Sequence, residues 1–251
     1  MHPFATVGAR LVTGASSGIG AATARALVAQ GAAVALVARR RERLERLAAE
    51  IGGRALVLQA DVADRAQAAD AVERAVSRLG RLDILVNNAG VMLLGPAVGA
   101  PLEEWEQMLA VNVNGFLYVA HAALPHLVDA ARRGPRQVAD FVGVSSVAGR
   151  KTGAGAAVYC LTKFGVRAFS DSLRQELASR HVRVSVIEPG VVNTELLTHV
   201  RPEVRAQWTA ARRQIERLEP EDVADAIAYI VTRARRVAVN EALIRPAEQE
   251  H

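Results

Sequence analysis

The chain has 251 residues, 51% hydrophobic but only 4% aromatic, with 31 Lys and Arg against 26 Asp and Glu for a net charge of +5. That length suits one α/β domain with a core of Ala, Val and Leu, and the composition excludes an intrinsically disordered chain. A single cysteine, Cys160, excludes a disulfide framework, and the six histidines lack metal-ligand spacing, so no metal is expected.

The N-terminal ten residues do not pair a basic segment with an apolar one, and no run reaches the roughly 18 apolar residues of a membrane span. A cytoplasmic chain with no membrane partner is expected. Residues 11–13 end a short apolar strand, 14–20 form a glycine-rich turn, and 21–30 read as a helix closed by Gly31. Strand and helix then alternate, with strands over 32–38, 55–58, 82–86, 138–144, 182–187 and 242–244. The helices between them fall at 41–51, 65–79, 102–128, 158–179 and 221–231. Apolar strands joined by crossover helices imply a Rossmann-type, doubly wound parallel sheet of about seven strands in a single domain. Residues 194–218 lack a strand and read as a helical flap over the site. The basic residues, at 39–46, 132–136 and 212–217 among others, are scattered along helical stretches, so solvated faces are expected and nucleic acid is not.

The turn Thr13-Gly14-Ala15-Ser16-Ser17-Gly18-Ile19-Gly20 places three glycines where a strand becomes a helix. Glycines there let the backbone approach a phosphate, which the N–H groups and positive end of the helix then bind. The same glycines also serve an ordinary βα turn. At the end of the second strand, where an NAD site usually carries an acidic residue, the sequence reads Ala38-Arg39-Arg40. A guanidinium pairs with a 2′-phosphate, so NADP(H) is expected, unless the arginines simply begin a solvated helix. Asp61 and Val62 either border the adenine or, through Asp61, cap the next helix.

Tyr159 and Lys163 stand four apart on a helix, which puts phenol and ammonium on one face. A nearby cation lowers the phenol pKa from its usual value near ~10 and fits it for proton transfer. Only Lys151 and Lys163 are Lys, every other basic residue being Arg, and the tunable ammonium of Lys163 has a chemical use that Arg lacks. Lys151 reads as a loop cation and Cys160 as core.

Taken with the glycine turn, these residues resemble the short-chain dehydrogenase/reductase family over about Val12 to Pro246. The ordered motifs are TGASSGIG at 13–20, NNAG at 87–90, Asn112, Ser146, Tyr159 with Lys163, and PGVVNT at 189–194. The resemblance implies that Ser146 and Tyr159 hydrogen-bond a substrate carbonyl, that the nicotinamide delivers hydride, and that Tyr159 protonates the oxygen. It further implies that Lys163 binds the nicotinamide ribose and that Asn112 holds a water linking Lys163 to solvent, although Asn112 could equally mark a helix kink. Asn88, Ala89, Gly90, Pro189 and Gly190 would line the cofactor, and Val192 and Thr194 would meet its carboxamide, the alternative being a plain Pro-Gly turn. Val91 to Leu94 would form an apolar pocket wall or be core. Stretches such as NNAGVMLLGP and AAVYCLTKFGV resemble the family's NADPH-dependent aldehyde reductases, while 129–140 runs several residues longer than usual. Pairing through the two long helices would give a homotetramer or homodimer. Rival readings are a 3-oxoacyl-thioester reductase and a non-enzymatic NADPH-sensing protein.

Overall fold

Seven short runs rich in Val, Leu, Ile and Ala form strands: β1 Ala9–Thr13, β2 Ala33–Ala38, β3 Ala55–Gln59, β4 Ile84–Asn87, β5 Ala139–Val144, β6 Val182–Pro189 and β7 Glu241–Ile244. The computed structural model describes residues 8–210 and 214–250, so the readings for residues 1–7 and for Arg212 and Arg213 lie outside the described residues. Every neighbouring pair is parallel, in the order β3-β2-β1-β4-β5-β6-β7. β5 and β6 are buried along their whole length even though they carry Asp140, Arg183, Ser185 and Glu188 among their apolar residues, whereas edge strand β7 alternates between exposed and half-buried residues. The strand order reverses between β1 and β4, and a crevice opens there at the carboxyl ends of the strands.

Helices α1 (Gly18–Ala29), α2 (Arg41–Ile51) and α8 (Pro220–Val231) cover one face through Leu27, Leu44, Val223 and Ile227. Helices α3 (Arg65–Leu79), α5 (Phe116–Arg133) and α6 (Ala157–Leu177) cover the other through Val72, Val119, Leu127 and Leu173. On that second face Phe116 meets Phe141 and Phe169 edge to face, with centroids 5.8 and 5.6 Å away.

One expectation needs correction. The helix expected over 102–128 is α4 (Leu102–Leu109), a π-helical turn (Ala110–Gly115) and α5 in succession. A π turn widens the helix by one residue and marks places where a side chain is aimed for a purpose; here it carries Asn112. The continuous stretch Leu102–Arg133 is by length and mean hydropathy apolar enough to cross a membrane, although Asn112, Asn114 and His121 interrupt its apolar residues. Its apolar residues serve two faces: Val119, Ala123 and Leu127 pack into the core, while Leu109 and Leu117 are exposed. Among the described residues of 194–218 there is no strand. The segment contains a 3-10 turn (Glu195–His199) and α7 (Pro202–Ala210), and Leu218 returns to form a parallel bridge with Val192, so both ends of the segment are tied together.

The long 129–140 stretch folds inward. Arg136 donates to Asp140 at 2.8 Å, beside Arg183 at 2.7 Å, and also to the Val231 carbonyl at 2.7 Å. Asp140 is buried, so these pairs hold a charge that could not stay there alone.

Candidate active site

The turn after β1 is built by what its glycines omit. Gly14 and Gly18 adopt φ of 67° and 51°, and a Cβ on Gly20 would lie 2.4 Å from the Gly14 carbonyl oxygen and 2.7 Å from Asn88 Nδ2. Asn88 Nδ2 donates to the Thr13 carbonyl at 2.9 Å, and the Asn88 and Ala89 amides both donate to Thr13 Oγ1 at 2.9 Å. Asn87 Nδ2 reaches the Phe116 carbonyl at 2.8 Å. The turns after β1 and β4 are thereby stapled together across the crevice. Ser17 begins α1 in extended conformation and makes no capping bond with its side chain. The amides of the first turn of α1, which lack helical partners, together with this cradle fit the phosphates of a dinucleotide.

At the end of β2, Arg39 and Arg40 both line the crevice. Arg40 turns inward, donating to Ser16 Oγ at 3.0 Å and Ser17 Oγ at 2.7 Å, and its other nitrogen meets Glu195 at 2.8 Å. Asp61 and Val62 border the crevice as well. The alternative that Asp61 caps a helix does not hold. Asp64 does that work, accepting from the Ala66 and Gln67 amides, while Asp61 accepts from the Ala63 amide at 3.0 Å.

Ser146, Tyr159 and Lys163 meet at the carboxyl end of β5. Ser146 lies two residues past the strand, where it begins a 3-10 turn (Val147–Gly149) and accepts from the Ala148 amide at 3.1 Å. Its hydroxyl stands close enough to the Tyr159 phenol to favour the phenolate, and donates to the Pro189 carbonyl at 3.5 Å. Both Tyr159 and Lys163 are buried. Lys163 donates to the Val144 carbonyl at 2.9 Å, and its ammonium stands 5.8 Å from the centre of the Tyr159 ring. The phenol pKa, expected to be lowered by Lys163, is instead pushed up to about 12 by burial, against a smaller lowering by the Ser146 hydroxyl. Burial in turn pulls Lys163 down to about 8. Desolvation opposes charge on both groups.

Asn112 is 1% exposed, and its side chain is committed elsewhere: Oδ1 accepts from the Val91 amide at 2.8 Å, and Nδ2 donates to the Val91 carbonyl at 2.8 Å and Thr162 Oγ1 at 3.2 Å. The side chain therefore pins the segment after Gly90 to the π turn and α6.

One cavity of about 750 Å³ is lined by Gly14, Arg39, Asp61, Ser146, Tyr159, Lys163, Pro189, Gly190, Val192 and Thr194, whereas Gly20 and Asn112 lie outside its lining. Beyond Tyr159 its wall includes Val91, Met92, Leu94, Leu196, Leu197 and Trp208. Sequence reading missed three contributors. Gln249 is buried and accepts from the Val191 amide at 2.9 Å, lying where a Cβ on Gly190 would meet it at 2.2 Å. Ser145 donates to the Lys163 carbonyl at 2.9 Å, and Glu195 pairs with Arg43 as well as Arg40. Only the neighbouring PGVVNT run hinted at Glu195; nothing local distinguishes Gln249.

A doubly wound sheet with a glycine cradle at its switch point, continuous with a Ser-Tyr-Lys cluster, defines a dinucleotide-binding oxidoreductase. The family model described as short chain dehydrogenase matches residues 9–205, and the chain belongs to that family. An uncharacterised oxidoreductase of Staphylococcus saprophyticus is 35% identical over 95% of this chain and 96% of its own length. A serine dehydrogenase complexed with NADP+ superposes with a TM-score of 0.89 at 34% identity, covering 98% of this chain and 97% of that one. A 3-ketoacyl-(acyl-carrier-protein) reductase from Brucella melitensis complexed with NADH gives 0.86 at 31% identity, covering 96% and 97%.

Proposed function

We propose that the chain is an NADPH-dependent reductase of aldehydes or ketones in which Tyr159 is the proton donor. The observation that carries this reading is the buried Tyr159 phenol, which shares with Ser146 a cavity that runs to the glycine turn and Arg40. When bound, NADPH supplies the hydride. Gly14, Ser16, Ser17, Gly18, Ile19 and Gly20 would hold its phosphates, with Arg39 and Arg40 on the 2′-phosphate. Asp61 and Val62 would border the adenine, and Asn88, Ala89, Gly90, Pro189, Gly190, Val192 and Thr194 would line the rest.

The chain's own chemistry follows from hydrogen bonding. A carbonyl oxygen between Ser146 and Tyr159 accepts from both hydroxyls, and negative charge growing on it strengthens both bonds. A phenol with its pKa at about 12 stays protonated at neutral pH and can release its proton to an alkoxide, a stronger base. Lys163 then stands beside the phenolate ring, where its charge stabilises the anion. Leu196, Leu197 and Trp208, in the 194–218 segment, serve as a flap that closes an apolar face over the substrate and excludes water.

The likeness of NNAGVMLLGP, AAVYCLTKFGV, SLRQEL and VIEPG to clavulanic acid dehydrogenase, a clavaldehyde reductase, supports an aldehyde or ketone. The solved acyl-carrier-protein reductase favours a second reading, a 3-oxoacyl thioester as substrate. Exposed Leu109, Leu117, Leu161 and Phe164 on α4, α5 and α6 support pairing of copies into a homodimer or homotetramer. NADPH oxidation followed across apolar aldehydes, ketones and 3-oxoacyl thioesters tests the assignment. Turnover of the free carbonyls is expected; turnover of thioesters alone favours the second reading, and turnover of neither refutes both.

A further inference from the structure

We propose that Glu195 is an internal competitor for the cofactor's 2′-phosphate, so that it sets how strongly the crevice prefers a 2′-phosphorylated dinucleotide; this rests on the NADPH reading above. Glu195 opens the 3-10 turn after Thr194, and its carboxylate bridges Arg40 at 2.8 Å and Arg43 at 2.5 Å. The same Arg40 guanidinium donates to Ser16 and Ser17, so one planar fork joins the glycine turn, the end of β2 and the segment that follows β6.

The carboxylate is also brought close to the start of α1. The Thr194 methyl lies 3.1 Å from where a Cβ on Gly18 would stand, which sets Glu195 beside a helix end that favours anions. Its hydrogen bonds to Arg40 and Arg43 hold its carboxyl below the usual range, so it is ionised at neutral pH. Ser16, Ser17, Arg39, Arg40 and Glu195 all line the cavity. A phosphate dianion taking the Arg40 fork and the two serine hydroxyls must share them with Glu195 or displace it. Two anions on one guanidinium repel, so part of the binding energy of the 2′-phosphate goes into breaking the Glu195 pairs. A dinucleotide without that phosphate has no group to contest Arg40, and Glu195 can stay where it is.

Glu195→Gln removes the charge and keeps the shape, and Glu195→Ala removes the hydrogen-bonding group too. The Glu195 side chain is 42% exposed, so neither change opens a cavity in the core. Binding of NADP+, NAD+, 2′-AMP and 5′-AMP to the full-length protein is measured by titration calorimetry. Losing two half-exposed ion pairs should tighten NADP+ and 2′-AMP about three- to thirtyfold in both variants. NAD+ and 5′-AMP should change less than about twofold, and the gain should shrink at high salt. Unchanged or weaker NADP+ binding in both variants overturns the proposal, and so does equal tightening of NADP+ and NAD+. A wild-type protein that binds neither dinucleotide overturns the cofactor reading itself, and the role of Glu195 with it.

Discussion

Lys163 should destabilise the fold it belongs to, and the effect can be measured. Its side chain is buried, with the ammonium satisfied by the Val144 carbonyl at 2.9 Å. Burial lowers its pKa from 10.5 to about 8. At about 1.4 kcal/mol per unit, keeping it charged in the folded state costs about 3 kcal/mol. Below about pH 8 it is charged in both states and the full cost applies. From about 8 to 10.5 the folded protein has released a proton that the unfolded chain still holds, so stability rises with pH across that window. Lys163→Met removes the charge but leaves the Val144 carbonyl without its donor, which offsets about 1 kcal/mol. The variant should therefore be about 2 kcal/mol more stable than wild type at neutral pH, with the gap closing to zero or slightly below by about pH 10. Urea unfolding followed by circular dichroism at three pH values up to 10 measures it. Tyr159, raised to about 12, begins to subtract stability only above its unfolded value of 10. A gap that does not change with pH, or a variant less stable at neutral pH, would refute the reasoning. A cation kept at such a cost fits a catalytic use.

Tyr159→Phe should bind NADP+ as wild type does and lose turnover by at least about a hundredfold, checked by calorimetry and NADPH oxidation; retained turnover removes Tyr159 from proton donation. Arg39→Ala and Arg40→Ala should each weaken NADPH by about 1.5 to 3 kcal/mol while sparing NADH, and equal losses for both cofactors would argue against a 2′-phosphate contact. Gly190→Ala should displace Gln249, whose Oε1 would lie 2.2 Å from the new Cβ, and break its bond to Val191, costing about 1 to 3 kcal/mol in urea melts. Combined with Gln249→Ala it should cost less than the two single changes added, because both remove the same contact.

The alternation of largely apolar runs and crossover helices pointed to the parallel sheet, because strands buried on both faces are mostly apolar, while the charges that β5 and β6 do bury, such as Asp140 and Arg183, depend on partners from the other strand. The order of glycine turn, Ser146, Tyr159 and Lys163 likewise reads directly, the glycines following β1 and the Tyr159–Lys163 pair sharing one face of α6. Tertiary structure decided what depends on groups far apart in the chain. The π turn at Asn112 is fixed by Val91 and Thr162, which lie 21 and 50 residues away. Burial raised the Tyr159 pKa and lowered that of Lys163, because desolvation depends on everything packed around a group, whereas spacing on one helix reports only their proximity. Glu195 and Arg40 are 155 residues apart, and Gln249 meets Val191 across 58. No local pattern encodes such pairs; they exist because the crevice at the switch point draws the ends of separate strands to one place.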